Sequence, residues 1–276
     1  MNLSFSTRLV QHPSLQLQTS NALDMGLDDI HEITEYHKEN FYSESFVKDV
    51  VNFFITNNKK TFFNNTYSSR NLLRKNKSDL EKAIRFLVKL HGDKFRDSGY
   101  SFLAHDLSTG FVPTRLGLSK ELIIASLLHD TVENSKKSEK NNVLNHIYKE
   151  FKELVACYVY GVSAPDISDA VKKDEELYKK ISKFISYGDI NPMTIKCFDS
   201  VPVNIYDIEH MKAKDGRTAK ERQLRFLDTA EQKALRFAKK IDAEGIIPVS
   251  YRTVRFSVEE YVKETLEHKR YVVENQ

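Results

Sequence analysis

The chain has 276 residues, of which 29% are charged and 40% hydrophobic, a mixture that builds a folded core and excludes a disordered tail or a membrane-embedded bundle. Its 42 basic and 39 acidic residues nearly cancel, to a net charge of +3, so charge makes no case for DNA, RNA or a membrane as partner. A phosphorylated small molecule stays compatible. Cys157 and Cys197 lack CxxC spacing and cannot form a disulfide framework. No apolar run reaches the roughly 18 residues of a membrane span, and the amino terminus has no signal-peptide core. The expectation is a cytoplasmic protein, with its oligomeric state open.

Residues 1–75, rich in Asn, Ser, Thr and Lys, read as an accessory segment with helices near 27–37 and 44–56. From Ser78 the pattern changes. Ser78-Asp79-Leu80-Glu81 has the form of a capping box, and Ala83, Phe86, Leu87 and Leu90 recur at helical spacing, which predicts a helix over 79–92. Ser119 predicts the cap of another helix. Its residues Leu122, Ile123, Ala125, Leu127 and Leu128 are apolar nearly all round and run into His129-Asp130, on to about Val132. Further helices are expected over 140–160, closed by Gly161, and over 173–187, 192–212 and 218–242. Ser257-Val258-Glu259-Glu260 opens a last, surface helix reaching Lys269. Strand-like alternation is scarce. The pattern predicts an all-α fold, with a core over 76–245 between the accessory segment 1–75 and a C-terminal extension 246–276. Lys233, Arg236, Lys239 and Lys240 read as the wet face of an amphipathic helix.

The chemistry concentrates at His129 and Asp130. Two ionisable side chains at the end of an apolar helix are costly unless they are paired or bound to a cation. Both reach one ion if it lies over the helix edge, with ligands from other helices closing the shell. Glu133, at i+4 from His129, stands on the same face, where a general base belongs.

Five motifs then resemble the hydrolase domain of the RelA/SpoT enzymes and their small single-domain relatives. Arg96-Asp97-Ser98-Gly99-Tyr100-Ser101-Phe102-Leu103-Ala104-His105 looks like that family's Arg-Lys-Ser-Gly-x-x-Tyr-x-x-His, and Leu127-Leu128-His129-Asp130-Thr131-Val132-Glu133-Asn134 is similar to its Leu-Leu-His-Asp-x-Val-Glu-Asp. Phe151-Lys152-Glu153-Leu154-Val155 and Gly161-Val162-Ser163 resemble the next helix and its exit, and Ile195-Lys196-Cys197-Phe198-Asp199 resembles Ile-Lys-Leu-Ala-Asp. The match covers roughly residues 78–242. It implies an HD-domain helical bundle with short irregular additions. It implies His105, His129, Asp130 and Asp199 as ligands of one divalent metal, favouring manganese, with Glu133 and Asn134 as the catalytic pair and Arg96, Ser98 and Asn204 as substrate contacts. The reaction implied is removal of the 3′-diphosphate from guanosine tetraphosphate or pentaphosphate. A different nucleotide, such as NADPH losing a phosphate, and a catalytically weakened nucleotide sensor are the alternatives.

The departures are specific. Asp106 stands where the family has proline, Asp97 where it has a basic residue, Asn134 where it has aspartate, and Asn204 one place later than its asparagine. Pro202 in the intervening turn removes a helix hydrogen bond, and a local bulge there would bring Asn204 back into register. The family's synthetase domain needs more residues than follow 242, so no synthesis is expected.

Overall fold

Apolar residues that recur every three or four positions can be hidden only against another helix or a sheet. Among the described residues the partners are helices throughout. The structure, a computed structural model, describes residues 26–58, 76–96, 98–206, 208, 211–244 and 258–275. They form α1 (26–36), α2 (Glu44–Asn58), α3 (Lys77–His91), α4 (Phe102–Arg115), α5 (Lys120–Leu127), α6 (Lys140–Val162), α7 (Ala170–Ser186), α8 (Asn191–Phe198), α9 (Ala219–Glu244) and α10 (Val258–Glu274). A π-helical turn, Asp199–Val203, and one helical turn, Asn204–Tyr206, follow α8. Strand-type pairing among the described residues is limited to the isolated bridges Phe95–Ser101 and Lys214–Arg217. The fold is all-α, and no described helix is long and apolar enough to cross a membrane.

Two apolar clusters hold the bundle together. The first gathers α1 to α6 through residues such as Leu27, Phe54, Leu87, Phe111, Ile123 and Val159. Each such large side chain, fully buried, contributes roughly 1.5–3 kcal/mol. The helices at 26–36 and Glu44–Asn58 therefore share the core of the segment that follows them. The second cluster joins α7 to α10 through Ile181, Met193, Leu227, Ile241 and Val262. Helix α8 belongs to both, with Ile195 in the first cluster and Cys197 in the second. Val112, Phe198 and Val203 close the seam.

Helix α4 has no counterpart among the expected elements. Leu103 through Thr114 are all buried, so no polar face marks a helical period, and Gly110, Pro113 and the β-branched Thr109, Val112 and Thr114 are weak helix formers. What starts the helix is Ser101, whose Oγ accepts the Leu103 N–H at 3.0 Å. A Cβ at Gly110 would lie 2.5 Å from Leu127 Cγ, so α4 and α5 touch at a position that only glycine fits.

Three element boundaries differ from expectation. Helix α5, capped by Ser119 as expected, ends at Leu127, and residues 128–134 continue as turns. There side chains take the helix-end carbonyls: His129 Nδ1 donates to Ser126 O at 2.9 Å and Thr131 Oγ1 to Leu128 O at 2.6 Å. Ser78 lies inside α3 and not at its cap, which is Asn76, held with Asp79 by the Lys120 ammonium at 3.1 and 3.0 Å. The helix expected over 192–212 is broken after Phe198 by the π-helical turn, where Val201 is extended (φ −146°, ψ 119°). Ser257 of the last capping box lies outside the described residues. The start of α10 is capped from α9, whose Asp242 carboxylate accepts the N–H groups of Val258 and Glu259 at 3.0 Å each.

Candidate metal centre

Helix α4 carries His105 inward, and the turn after α5 presents His129 and Asp130 to the same point. Asp199 arrives from the second cluster, at the first residue of the π-helical turn. His105 Nε2 lies 3.2 Å from Asp199 Oδ1 and 3.8 Å from Asp130 Oδ2. His129 Nε2 lies 3.3 Å from Asp130 Oδ1 and 3.6 Å from Asp199 Oδ1. The donor atoms of His105, His129 and Asp130 all fall within 4.8 Å of one another. Both imidazoles and Asp199 are buried.

This arrangement fits a divalent cation. A carbonyl cannot donate, so the contact with Ser126 O puts the His129 proton on Nδ1 and turns the Nε2 lone pair toward the two carboxylates. That Nε2 is buried without a hydrogen-bond partner. Two imidazole nitrogens with two carboxylates form the mixed donor set that suits manganese, iron, zinc or magnesium. With protein charges alone, burial disfavours the His129 imidazolium, but Asp130 and Asp199 outweigh it and lift the group to about 9. Burial likewise opposes the Asp199 carboxylate, and Lys196 and His129 hold it well below the usual range. The Lys196 ammonium sits 2.7 Å from Asp199 Oδ2. Behind the centre, Asp106 accepts from His91 Nδ1 at 2.6 Å, and nothing in the sequence motifs marks this fully buried pair as part of the site.

A cavity of about 440 Å³ opens over these groups, lined among others by Arg96, Glu133, Asn134, Lys196 and Asn204. The π-helical turn sets Asn204 so that its Nδ2 donates to Asp199 Oδ1 at 2.8 Å while its Oδ1 accepts from Arg96 Nη2 at 2.6 Å. Ser98 is placed differently. It is buried in its own loop, where its Oγ accepts the Tyr100 N–H at 3.4 Å, and it does not line this cavity. Glu133 spends both oxygens on protein donors: Lys173 Nζ at 2.8 Å and the Ala164 N–H at 3.2 Å. Asn134 Nδ2 donates to Asp130 Oδ2 at 3.3 Å.

A second cavity of about 440 Å³ adjoins the first through Glu133, Lys196, Asp199 and Asn204, and adds Lys173, Lys233 and Arg236. The last two belong to a stretch that reads in sequence as a solvated helix face. They stay on that solvated face, Arg236 exposed and Lys233 half-buried, and border the cavity while Arg236 lies 3.4 Å over the Tyr178 ring and Lys233 pairs with Asp174 at 2.7 Å.

Over 103 residues, 37% of this chain and 14% of the relative, the sequence is 30% identical to a guanosine-3′,5′-bis(diphosphate) 3′-pyrophosphohydrolase of Aquifex aeolicus. The chain is similar to the RelA/SpoT enzymes. A second such pyrophosphohydrolase, from Borreliella burgdorferi, is 24% identical over 182 residues, 63% of this chain and 26% of the relative. A GTP pyrophosphokinase of Myxococcus xanthus is 28% identical over 148 residues, 51% of this chain and 19% of the relative. The chain thus matches about a quarter or less of the length of these relatives. No family model matches it.

Proposed function

We propose that the protein is a metal-dependent phosphohydrolase of the HD class that removes the 3′-diphosphate from guanosine tetraphosphate or pentaphosphate. The observation that carries this reading is the meeting of His105, His129, Asp130 and Asp199 beneath a cavity that also holds Arg96, Lys196 and Asn204. Curated relatives named for that substrate support it. The catalytic unit is assigned to residues 76–245, with 1–75 and 246–276 as additions. His105, His129, Asp130 and Asp199 would hold a divalent cation, manganese by family resemblance, which would supply the charge to polarise a phosphoryl oxygen and to lower the pKa of water toward roughly 7.

The chain's own residues divide the remaining tasks. Lys196 fixes the Asp199 carboxylate and Asn134 that of Asp130, so both carboxylates would be held ready for the cation. Asn204 holds the Arg96 guanidinium at the cavity wall, where it meets phosphate oxygens in a two-point fork. Glu133 receives the proton of the attacking water on the oxygen that Lys173 releases as its ammonium turns to the substrate phosphate.

One observation favours a second reading, a nucleotide sensor without turnover: both Glu133 oxygens are engaged and position 134 offers an amide in place of a carboxylate. Purified protein assayed with several metals against guanosine tetraphosphate, NADPH and ordinary nucleoside triphosphates separates the two. Pyrophosphate release from guanosine tetraphosphate, faster than any attack on triphosphates, is the expected result. Equal rates on all substrates sink the assignment, and bound nucleotide without product under every metal favours the sensor.

A further inference from the structure

An exposed phenylalanine stands at the mouth of the metal cavity. Phe95 is 58% exposed, although it borders a space lined by His105, Asp130, Asp199 and Asn204. Its backbone is fixed on both sides: Phe95 bridges to Ser101, the Arg96 N–H donates to Tyr100 O at 2.7 Å, and the Phe102 N–H donates to Lys94 O at 3.0 Å. Gly99 makes that tight loop feasible with φ +92°. A flat apolar face is therefore presented on a fixed loop at the edge of a polar cleft, where an aromatic ring can stack on a flat group of a bound molecule.

Phe95 also walls a neighbouring cavity of about 270 Å³, and it is the residue that lines both spaces. Arg96 and Lys196 offer the first space cations for phosphate beside the proposed metal ligands, whereas the second is lined by His31, Phe41 and Tyr100 together with Glu32, Glu35 and Lys38. A polyphosphate belongs over the metal ligands, and the uncharged end of the same molecule belongs across the ring. Arg96, the neighbouring residue, donates to Asn204 and has its guanidinium 5.9 Å from the Phe102 ring.

We infer that Phe95 is the platform on which the purine base of the substrate stacks, and that it sets the preference for base-bearing over base-free phosphates. This rests on the nucleotide reading above. Every base has a π-face, so the ring selects for the presence and size of the base, and hydrogen-bond readout is left to other groups.

The chain contains no tryptophan, so Phe95→Trp supplies a single indole emission signal. With magnesium present, guanosine tetraphosphate is expected to quench that emission saturably, while pyrophosphate and ribose 5-phosphate leave it unchanged. Phe95→Ala is expected to raise KM for guanosine tetraphosphate about tenfold with kcat within about twofold, the size of one lost stack, and Phe95→Tyr to restore KM. Calorimetric binding of guanosine tetraphosphate that leaves the indole emission of the Phe95→Trp variant unmoved, or an unchanged KM in Phe95→Ala, overturns the inference and leaves the nucleotide reading standing. Absence of any calorimetric binding to the wild-type protein overturns both.

Discussion

Lys173 donates to Glu133 across 2.8 Å, tying the start of α7 to the turn that follows α5. The carboxylate is oriented by this pair and by the Ala164 N–H, and the candidate ligands His105, His129 and Asp130 come together without it. Glu133→Gln should therefore keep the fold and the bound metal while turnover falls by about 10²–10⁴-fold, the range of a lost general base. Metal content and kcat, measured on the same preparation, check this. Metal loss in the variant would make Glu133 a ligand.

The raised pKa of His129 gives a pH dependence with a definite sign. In metal-free protein its folded value is about 9 against an ordinary 6.5, so the stability it contributes is complete below about 6.5 and is lost as pH rises through 9. A cation needs the same Nε2 unprotonated, so protons compete with metal over that window. Manganese affinity should rise with pH up to about 9, and the melting temperature of metal-free protein should fall over the same interval. Titration calorimetry and thermal melts across this window test both slopes. A flat affinity removes His129 from the ligand set.

Asn134 contributes a donor to Asp130, and an ionised aspartate at that position has none to give. Asn134→Asp sets two carboxylates against each other. We expect the melting temperature of the metal-free protein to drop by about 2–4 °C, as for a loss near 1 kcal/mol, and manganese to recover it. A higher turnover with no change in melting would show that the amide has no positioning role.

Gly110→Ala places a methyl 2.5 Å from Leu127 Cγ and forces α4 away from α5. A cost of about 1–3 kcal/mol is expected, together with weaker metal binding, since His105 rides on α4 and His129 follows α5. Leu127→Ala in the same chain should recover part of the loss, and a double-mutant cycle measures the coupling. Additive effects would show that the two helices are not in contact there.

Legibility follows polarity. Helices with a wet face announce themselves: α3 and α9 alternate buried and exposed positions, and the Ser119 cap is visible as a residue type before an apolar run. Helix α4 has no such contrast, and its glycine, proline and threonines argue against the helix that tertiary packing imposes. At the site, His129 and Asp130 stand out because charge in an apolar run demands an explanation. His105 and Asp199 lack that setting and are reached through family resemblance. Lys173, Lys233 and Arg236 are lysines and arginines on amphipathic helices, and only the approach of α7 to α9 makes them a cavity wall. The buried His91–Asp106 pair is similar: Asp106 shows in sequence only as a departure from the family's proline, and its partner emerges when α3 and α4 are packed together.

The seam between the two clusters also sets an order of events during synthesis. Arg96 and Asn204, bonded to each other, are 108 residues apart in the chain, and Asp199 is made well after His105, His129 and Asp130. Helices α1 to α6 share one apolar cluster and have most of their mutual contacts available before α8 leaves the ribosome. His105, His129 and Asp130 thus all lie in the part of the chain made before α8, and Lys196 and Asp199 come to them from α8 and the residue that follows it. Helix α8 contributes to both clusters and leads into Asp199, so the element that joins the two halves of the core also carries the Lys196 ammonium and the second carboxylate to the two imidazoles.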